Sequence, residues 1–291
     1  MRCERRQLLP KRLFGLGALV NRYLATLPGL RRLCLRTYVV ARPAIPRDAS
    51  SPLPSCSVLI PCRNERGNIE NAIRRLPNFA GGAEIIFIEG QSADGTYEEC
   101  LRVRDAYPQR DIRVLRQPGK GKRDAVYAGI AAARGDILMI LDADLTVPPE
   151  VMPKFYNALV LGRGEFVNGT RLVYPMAEKA MRRLNFFANR AFAAIFSYLL
   201  NQRFTDTLCG TKAFWRQDYH AMVADHGYFG DFDPFGDFDL LFGAAKLNLK
   251  IVELPVRYAD RTYGETQIQR FRHGLMLVRM VVFGWRKFKA L

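Results

Sequence analysis

Four short runs, apolar almost throughout and each followed by a polar loop, constrain this chain more than any other feature. They are residues 57–61 (SVLIP), 84–88 (EIIFI), 112–116 (IRVLR) and 137–141 (ILMIL). Helical segments separate them, at about 67–76, 96–107 and 123–133. Strands of this kind are buried on both faces, and their alternation with helices predicts an α/β fold built on a mostly parallel sheet. Ligands of such sheets sit beyond the carboxyl ends of the strands. Chemistry is therefore expected in the loops after Ile60, Ile88, Arg116 and Leu141.

All four loops hold polar residues suited to a charged ligand. The last, ILDADLTVPPE, brings Asp142 and Asp144 out of a buried strand at i, i+2 spacing. Two carboxylates so close repel one another unless a cation compensates. Mg²⁺ or Mn²⁺ takes oxygen ligands and keeps water or phosphate in its shell, so the pair suits a metal–diphosphate complex. The first loop, IPCRNE, puts Pro61, Arg63 and Glu65 at a strand end, where polar groups reach a base or ribose. The second, IEGQSADGT, offers Glu89 and, in a tight turn, Asp94. The third, PGKGKRDA, places Lys120 and Lys122 on a glycine-freed backbone leading into a helix, a natural place for phosphate. It lacks the Walker spacing, so no P-loop ATPase is indicated. Each loop taken singly also suits an ordinary turn or helix cap.

The charge is unevenly spread. Of a net +16, the first 50 residues carry +9 and residues 266–291 carry +6, which leaves the body close to neutral. A nucleic-acid domain carries its basic residues across a folded face among stacking aromatics, so no nucleic-acid partner is expected. Basic ends interleaved with Leu, Phe, Val and Trp suit an anionic membrane surface instead. No apolar run reaches the ~20 residues of a spanning helix, so peripheral contact from the cytoplasmic side is the expectation. The six cysteines show neither a CxxC pair nor disulfide-framework spacing, which fits a reducing compartment. Residues 1–41 read as an amphipathic helical stretch broken at Pro28-Gly29, and residues 43–54, with four prolines, as a linker.

Together the four loops resemble those of the family-2 glycosyltransferases with the GT-A fold, over about residues 56–266. The resemblance implies that Pro61, Arg63, Glu65, Glu89, Asp94, Lys120, Lys122 and Asp142 line a nucleotide-sugar pocket. It makes Asp142 and Asp144 the metal ligands. The family's second loop usually carries a double aspartate, whereas this chain has Glu89-Gly90, so a base preference does not transfer. Residues 250–266 resemble the family's edge strand and Arg-x-x-Gly-x-Ser/Thr loop, which implies that Arg261 and Thr266 reach the diphosphate. Gln267 stands where a lysine is usual.

Residues 205–212 (TDTLCGTK) resemble the acceptor loop of polyprenyl-phosphate sugar transferases, the dolichol-phosphate mannose synthase group. Asp206, Gly210 and Lys212 are then expected on the acceptor side, and Asp237, rather than Asp239, as base or orienting acid. The domains expected are a basic extension and linker (1–52), a GT-A domain (53–265) and a basic amphipathic helix (266–291). A further amphipathic helix is expected over 182–200. The activity implied is inverting sugar transfer from a nucleotide-sugar to a polyprenyl phosphate or other lipid-linked acceptor at the membrane. Transfer to a glycan, lipid or small-molecule hydroxyl is the alternative. A sugar nucleotidyltransferase would carry its glycine-rich basic signature just after the first strand, where IPCRNE stands.

Overall fold

The computed structural model describes residues 2–10, 16–41, 52–174, 183–223, 236–264 and 270–289. Internal contacts divide the chain into two compact units. One comprises Met1–Ile45, Ala191–Phe204 and Ile268–Leu291; the larger comprises Pro46–Arg190 and Thr205–Gln267.

The terminal unit departs from the sequence expectation. Its first segment is a strand, β1 (Arg2–Arg6), paired antiparallel with β2 (Arg36–Val40) in a register running from Arg2 opposite Val40 to Arg6 opposite Arg36. Between them, among the described residues, lie α1 (Leu16–Leu19) and two short turns of π and 3₁₀ type, Val20–Leu24 and Leu30–Leu33. The leucine spacing of residues 1–41 predicts helix, but Thr37, Tyr38, Val39 and Val40 are a β-branched and aromatic run that favours a strand. Pro28-Gly29 then prevents one helix from spanning the rest.

The larger unit holds a seven-stranded sheet. Its strands are β3 (Cys56–Cys62), β4 (Ala83–Glu89), β5 (Asp111–Arg116), β6 (Ile137–Ile140), β7 (Phe166–Thr170), β8 (Lys212–Trp215) and β9 (Ile251–Pro255), in spatial order β5-β4-β3-β6-β8-β7-β9. Pairing is parallel except where β8 runs antiparallel to both β6 and β7. Helices α2 (Arg66–Arg75), α3 (Thr96–Ala106), α4 (Lys122–Ala132) and α5 (Met152–Val160) fill the connections. Every residue of β6, and all but one of β3 and of β4, is buried. That is why their sequences are apolar runs rather than alternations.

The remaining helices are α6 (Arg183–Leu200), α7 (Arg216–Val223), α8 (Asp237–Lys246) and α9 (Arg270–Phe288). Among the described residues no helix is long and apolar enough to cross a membrane. All six cysteines are free.

Candidate active site

Strand β6 delivers the aspartate pair. Leu141 continues the ladder by donating its N–H to Leu59 O at 3.0 Å, and the chain then turns, with Leu145 N donating to Asp142 O at 3.2 Å. Next to this turn α4 begins at Lys122. Gly121, at φ 89°, supplies the positive φ that a side chain would resist, and Gly119 N donates to Asp124 Oδ2 at 2.8 Å to close the loop. The Lys122 ammonium therefore stands 2.6 Å from Asp142 Oδ1. Burial pushes the Asp142 carboxyl up, but Lys122, with Lys212 and Arg171 beyond it, brings it below its ordinary range. It is held ionised.

Asp144 is satisfied from two sides. Its Oδ1 accepts from Thr146 N at 3.1 Å and Thr146 Oγ1 at 2.8 Å, while its Oδ2 accepts from Arg261 Nη2 at 2.7 Å. The same guanidinium donates through Nη1 to Glu65 Oε1 at 2.8 Å, so Arg261 forks between two acids. Asn68 Nδ2 donates to the other Glu65 oxygen at 2.7 Å. Burial raises the Glu65 carboxyl to about 7 against the lowering pull of Arg261 and Asn68, and the negative charge of Asp144 adds to the rise. Arg261 reaches this place because Ala259 N donates to Thr146 O at 2.9 Å, tying the segment after β9 to the aspartate turn.

The other strand ends complete the edge. Glu89, buried at the end of β4, accepts from Ser92 N. Burial pushes the Asp94 carboxyl up, but it accepts from Thr96 Oγ1, Arg66 N at 3.2 Å, Thr96 N at 3.1 Å and Tyr263 Oη at 3.2 Å, and these bonds together lower its pKa. It thus anchors the starts of α2 and α3. Pro61 is half-buried near the end of β3, and Arg63 and Lys120 are exposed.

Residues 205–212 meet this edge from another strand. A Cβ on Gly210 would overlap Asp142 Oδ2 and Lys122 Nζ, so with glycine here the loop lies directly against the ion pair. Asp206 and Lys212 are fully buried, with Lys212 Nζ donating to Cys209 O. Asp206 accepts from Arg171 Nε at 2.6 Å, Arg171 Nη2 at 2.9 Å and Leu208 N at 2.9 Å. Burial raises Asp206 and the Arg171 charge brings it down, leaving it below its ordinary range. Below it, Glu253 of β9 accepts from Thr205 N at 2.8 Å, Thr205 Oγ1 at 2.8 Å and Asp206 N at 3.1 Å. Asp206 and Lys212 therefore shape the loop from inside, and Gly210 is the member of the three that borders the aspartates.

Asp237 opens α8, but its side chain lies outside the described residues, as does Thr266. Two residues on, Asp239 accepts from Tyr127 Oη at 2.8 Å and pairs with Arg123 at 3.1 Å. Sequence reasoning assigned no role to Glu253 or Tyr263. Glu253 and Tyr263 take partners far away in sequence, Thr205 with Asp206 and Asp94 respectively, so no local pattern announces them.

A family model described as Glycosyl transferase family 2 matches residues 57–222, more than half of the chain. The chain belongs to that family. Among curated relatives of this glycosyltransferase, a dolichyl-phosphate hexose transferase of Haloferax volcanii is 28% identical over 78% of this chain and 92% of its own length. A dolichol-phosphate mannosyltransferase of Pyrococcus furiosus is 39% identical over 40% of this chain, which spans about a third of that protein, 33% of its length. Among solved structures, glucosyl-3-phosphoglycerate synthase of Mycobacterium tuberculosis, in complex with Mn²⁺, UDP and phosphoglyceric acid, superimposes with a TM-score of 0.57 at 20% identity, over 80% of this chain and 78% of the other. The fold of the family-2 domain is thus GT-A.

Proposed function

We propose that this glycosyltransferase moves a sugar from a nucleotide-sugar to a polyprenyl phosphate at a membrane surface, with a divalent metal at Asp142 and Asp144. The observation that carries the reading is the paired arrangement of Lys122 on Asp142 and Arg261 on Asp144 at the carboxyl edge of the sheet. Such a set of fixed acids and cations complements a magnesium or manganese diphosphate.

The donor set fits the metal. Asp142 and Asp144 are hard oxygen ligands, and each already faces a cation where a metal would compete for it. Among the described residues they belong to no cluster of three or more acids, His or Cys that could hold a metal, so diphosphate and water oxygens would complete the shell. When bound, the metal neutralises charge on the departing diphosphate. Lys122 and Arg261 add positive charge at the same oxygens. The acceptor oxygen attacks the anomeric carbon as the bond to the nucleoside diphosphate breaks, inverting that centre. A lipid phosphate arrives already ionised, so Asp237 needs only to orient it; a hydroxyl acceptor would require it as a base.

Support for the lipid acceptor comes from the Haloferax relative, whose name describes dolichyl-phosphate hexose transfer and whose length this chain covers to 92%. The membrane reading is supported by α9, which exposes Leu275 (60%), Val278 (51%) and Val282 (49%) at helical spacing among basic residues. Cytoplasmic placement is supported by the six free cysteines, which suit a reducing compartment. Extraction tests the acceptor: labelled sugar should enter the organic-soluble fraction only when polyprenyl phosphate is present. Label appearing in a water-soluble product with a small phosphorylated or hydroxyl acceptor would move the activity to that class.

A further inference from the structure

The terminal unit contains a basic cleft whose lining includes none of the residues of the candidate active site. It is half open, encloses about 330 Å³ with its mouth included, and is lined by Arg5, Arg6, Arg31, Lys289, Glu4 and Tyr198, among others. Four cations thus face one acid among the described lining residues. Arg6 consumes part of that acid, donating to Glu4 Oε2 through Nε at 3.0 Å and Nη2 at 2.7 Å. Arg5 and Arg31 are exposed and have no carboxylate partner among the described residues. The walls hold two of the cations, Arg31 and Lys289, in place. Tyr198 lies between them, with the Arg31 guanidinium 5.3 Å and the Lys289 ammonium 4.9 Å from its ring centre. Lys289 is buried and fixed by donating to Asn201 Oδ1 at 2.6 Å.

We propose that this cleft is a phosphate-recognition site, taking the phosphate of an ester or diester through Arg5, Arg31 and Lys289. A guanidinium without a carboxylate partner matches phosphate oxygens in a planar fork, and an immobilised ammonium adds a point charge beside it. The same unit exposes Leu16 (63%), Leu19 (57%), Leu33 (67%), Leu35 (64%) and Val39 (58%), apolar surface that a lipid headgroup's chains would cover. The phosphate therefore comes from a membrane lipid or from a soluble ester, and the two sources separate by experiment. The site does not depend on which donor or acceptor the sheet edge uses, because binding is read without nucleotide-sugar.

The test uses the full chain in two arms. One measures sedimentation with vesicles of phosphatidylcholine alone or with phosphatidylglycerol; the other titrates glycerol 3-phosphate by calorimetry. Arg5→Ala with Arg31→Ala is compared with a charge-matched control, Arg32→Ala with Arg36→Ala, whose residues are exposed outside the cleft. A lipid source predicts that the cleft variant loses about tenfold more vesicle affinity than the control, since contacts at a fitted site exceed diffuse attraction. A soluble source predicts glycerol 3-phosphate binding abolished by the cleft variant and kept by the control. Equal vesicle losses in both variants, with no glycerol 3-phosphate binding by the parent, would overturn the site. Arg5→Ala alone, which removes an exposed side chain, gives the same reading if the double variant fails to fold.

Discussion

Replacing Gly210 with alanine puts a Cβ against Asp142 Oδ2 and Lys122 Nζ, so one partner of that ion pair must move. A displacement of this size at a reacting centre costs about a hundredfold in kcat/KM, with circular dichroism unchanged. Asp142→Asn should cost on the order of 10²–10³ in kcat, because it removes fixed charge beside the diphosphate. Glu65 carries a pH signature. Its folded pKa of about 7 lies above the ordinary 4.5, so the neutral form favours folding. That contribution is present below about 4.5 and is lost as pH rises through about 7, a decline of up to about 3 kcal/mol. Urea unfolding of the nucleotide-free protein from pH 5 to 8 should therefore fall more steeply than that of Glu65→Gln; parallel curves would contradict the burial argument. Asp142, Asp144 and Lys122 were legible in sequence because each follows directly from a strand end or a glycine turn. Arg171 on Asp206 was not, because a contact across 35 residues leaves no local pattern.

At the scale of elements, β3, β4 and β6 could be read because burial on both faces makes their sequences continuous apolar runs. The insertion of β8 between β6 and β7 was not legible: Lys212–Trp215 is four residues long and its neighbours in the sheet are remote in sequence. The opening strands were misread because leucine spacing mimicked a helical period while the pairing partner lay beyond the turns. The polar brace beneath the loop belongs to this scale. Arg171→Ala strands the Asp206 carboxylate without its guanidinium and should destabilise the larger unit by about 3–5 kcal/mol in urea titration. Glu253→Gln, which keeps an acceptor oxygen for Thr205 and Asp206 N–H groups, should cost less. If both variants are equally mild, the brace does not hold the loop.

For the whole molecule, the separation of charge matters more than its total. A near-neutral body carries the site, and both basic ends lie in the terminal unit. Leu275→Glu with Val278→Glu on α9 should lower affinity for anionic vesicles by at least about tenfold while nucleotide binding stays unchanged. Loss of both together would mean that the helix acts through folding rather than contact. Sugar transfer at the sheet edge is tested most directly by nucleotide release. Purified protein is incubated with UDP-, GDP- and dTDP-sugars, with Mg²⁺, Mn²⁺ or chelator, with and without polyprenyl phosphate. Release of one nucleotide that needs both metal and polyprenyl phosphate, and that Asp144→Asn abolishes, is the result predicted. Metal-independent release, or none with any nucleotide-sugar, would contradict the account.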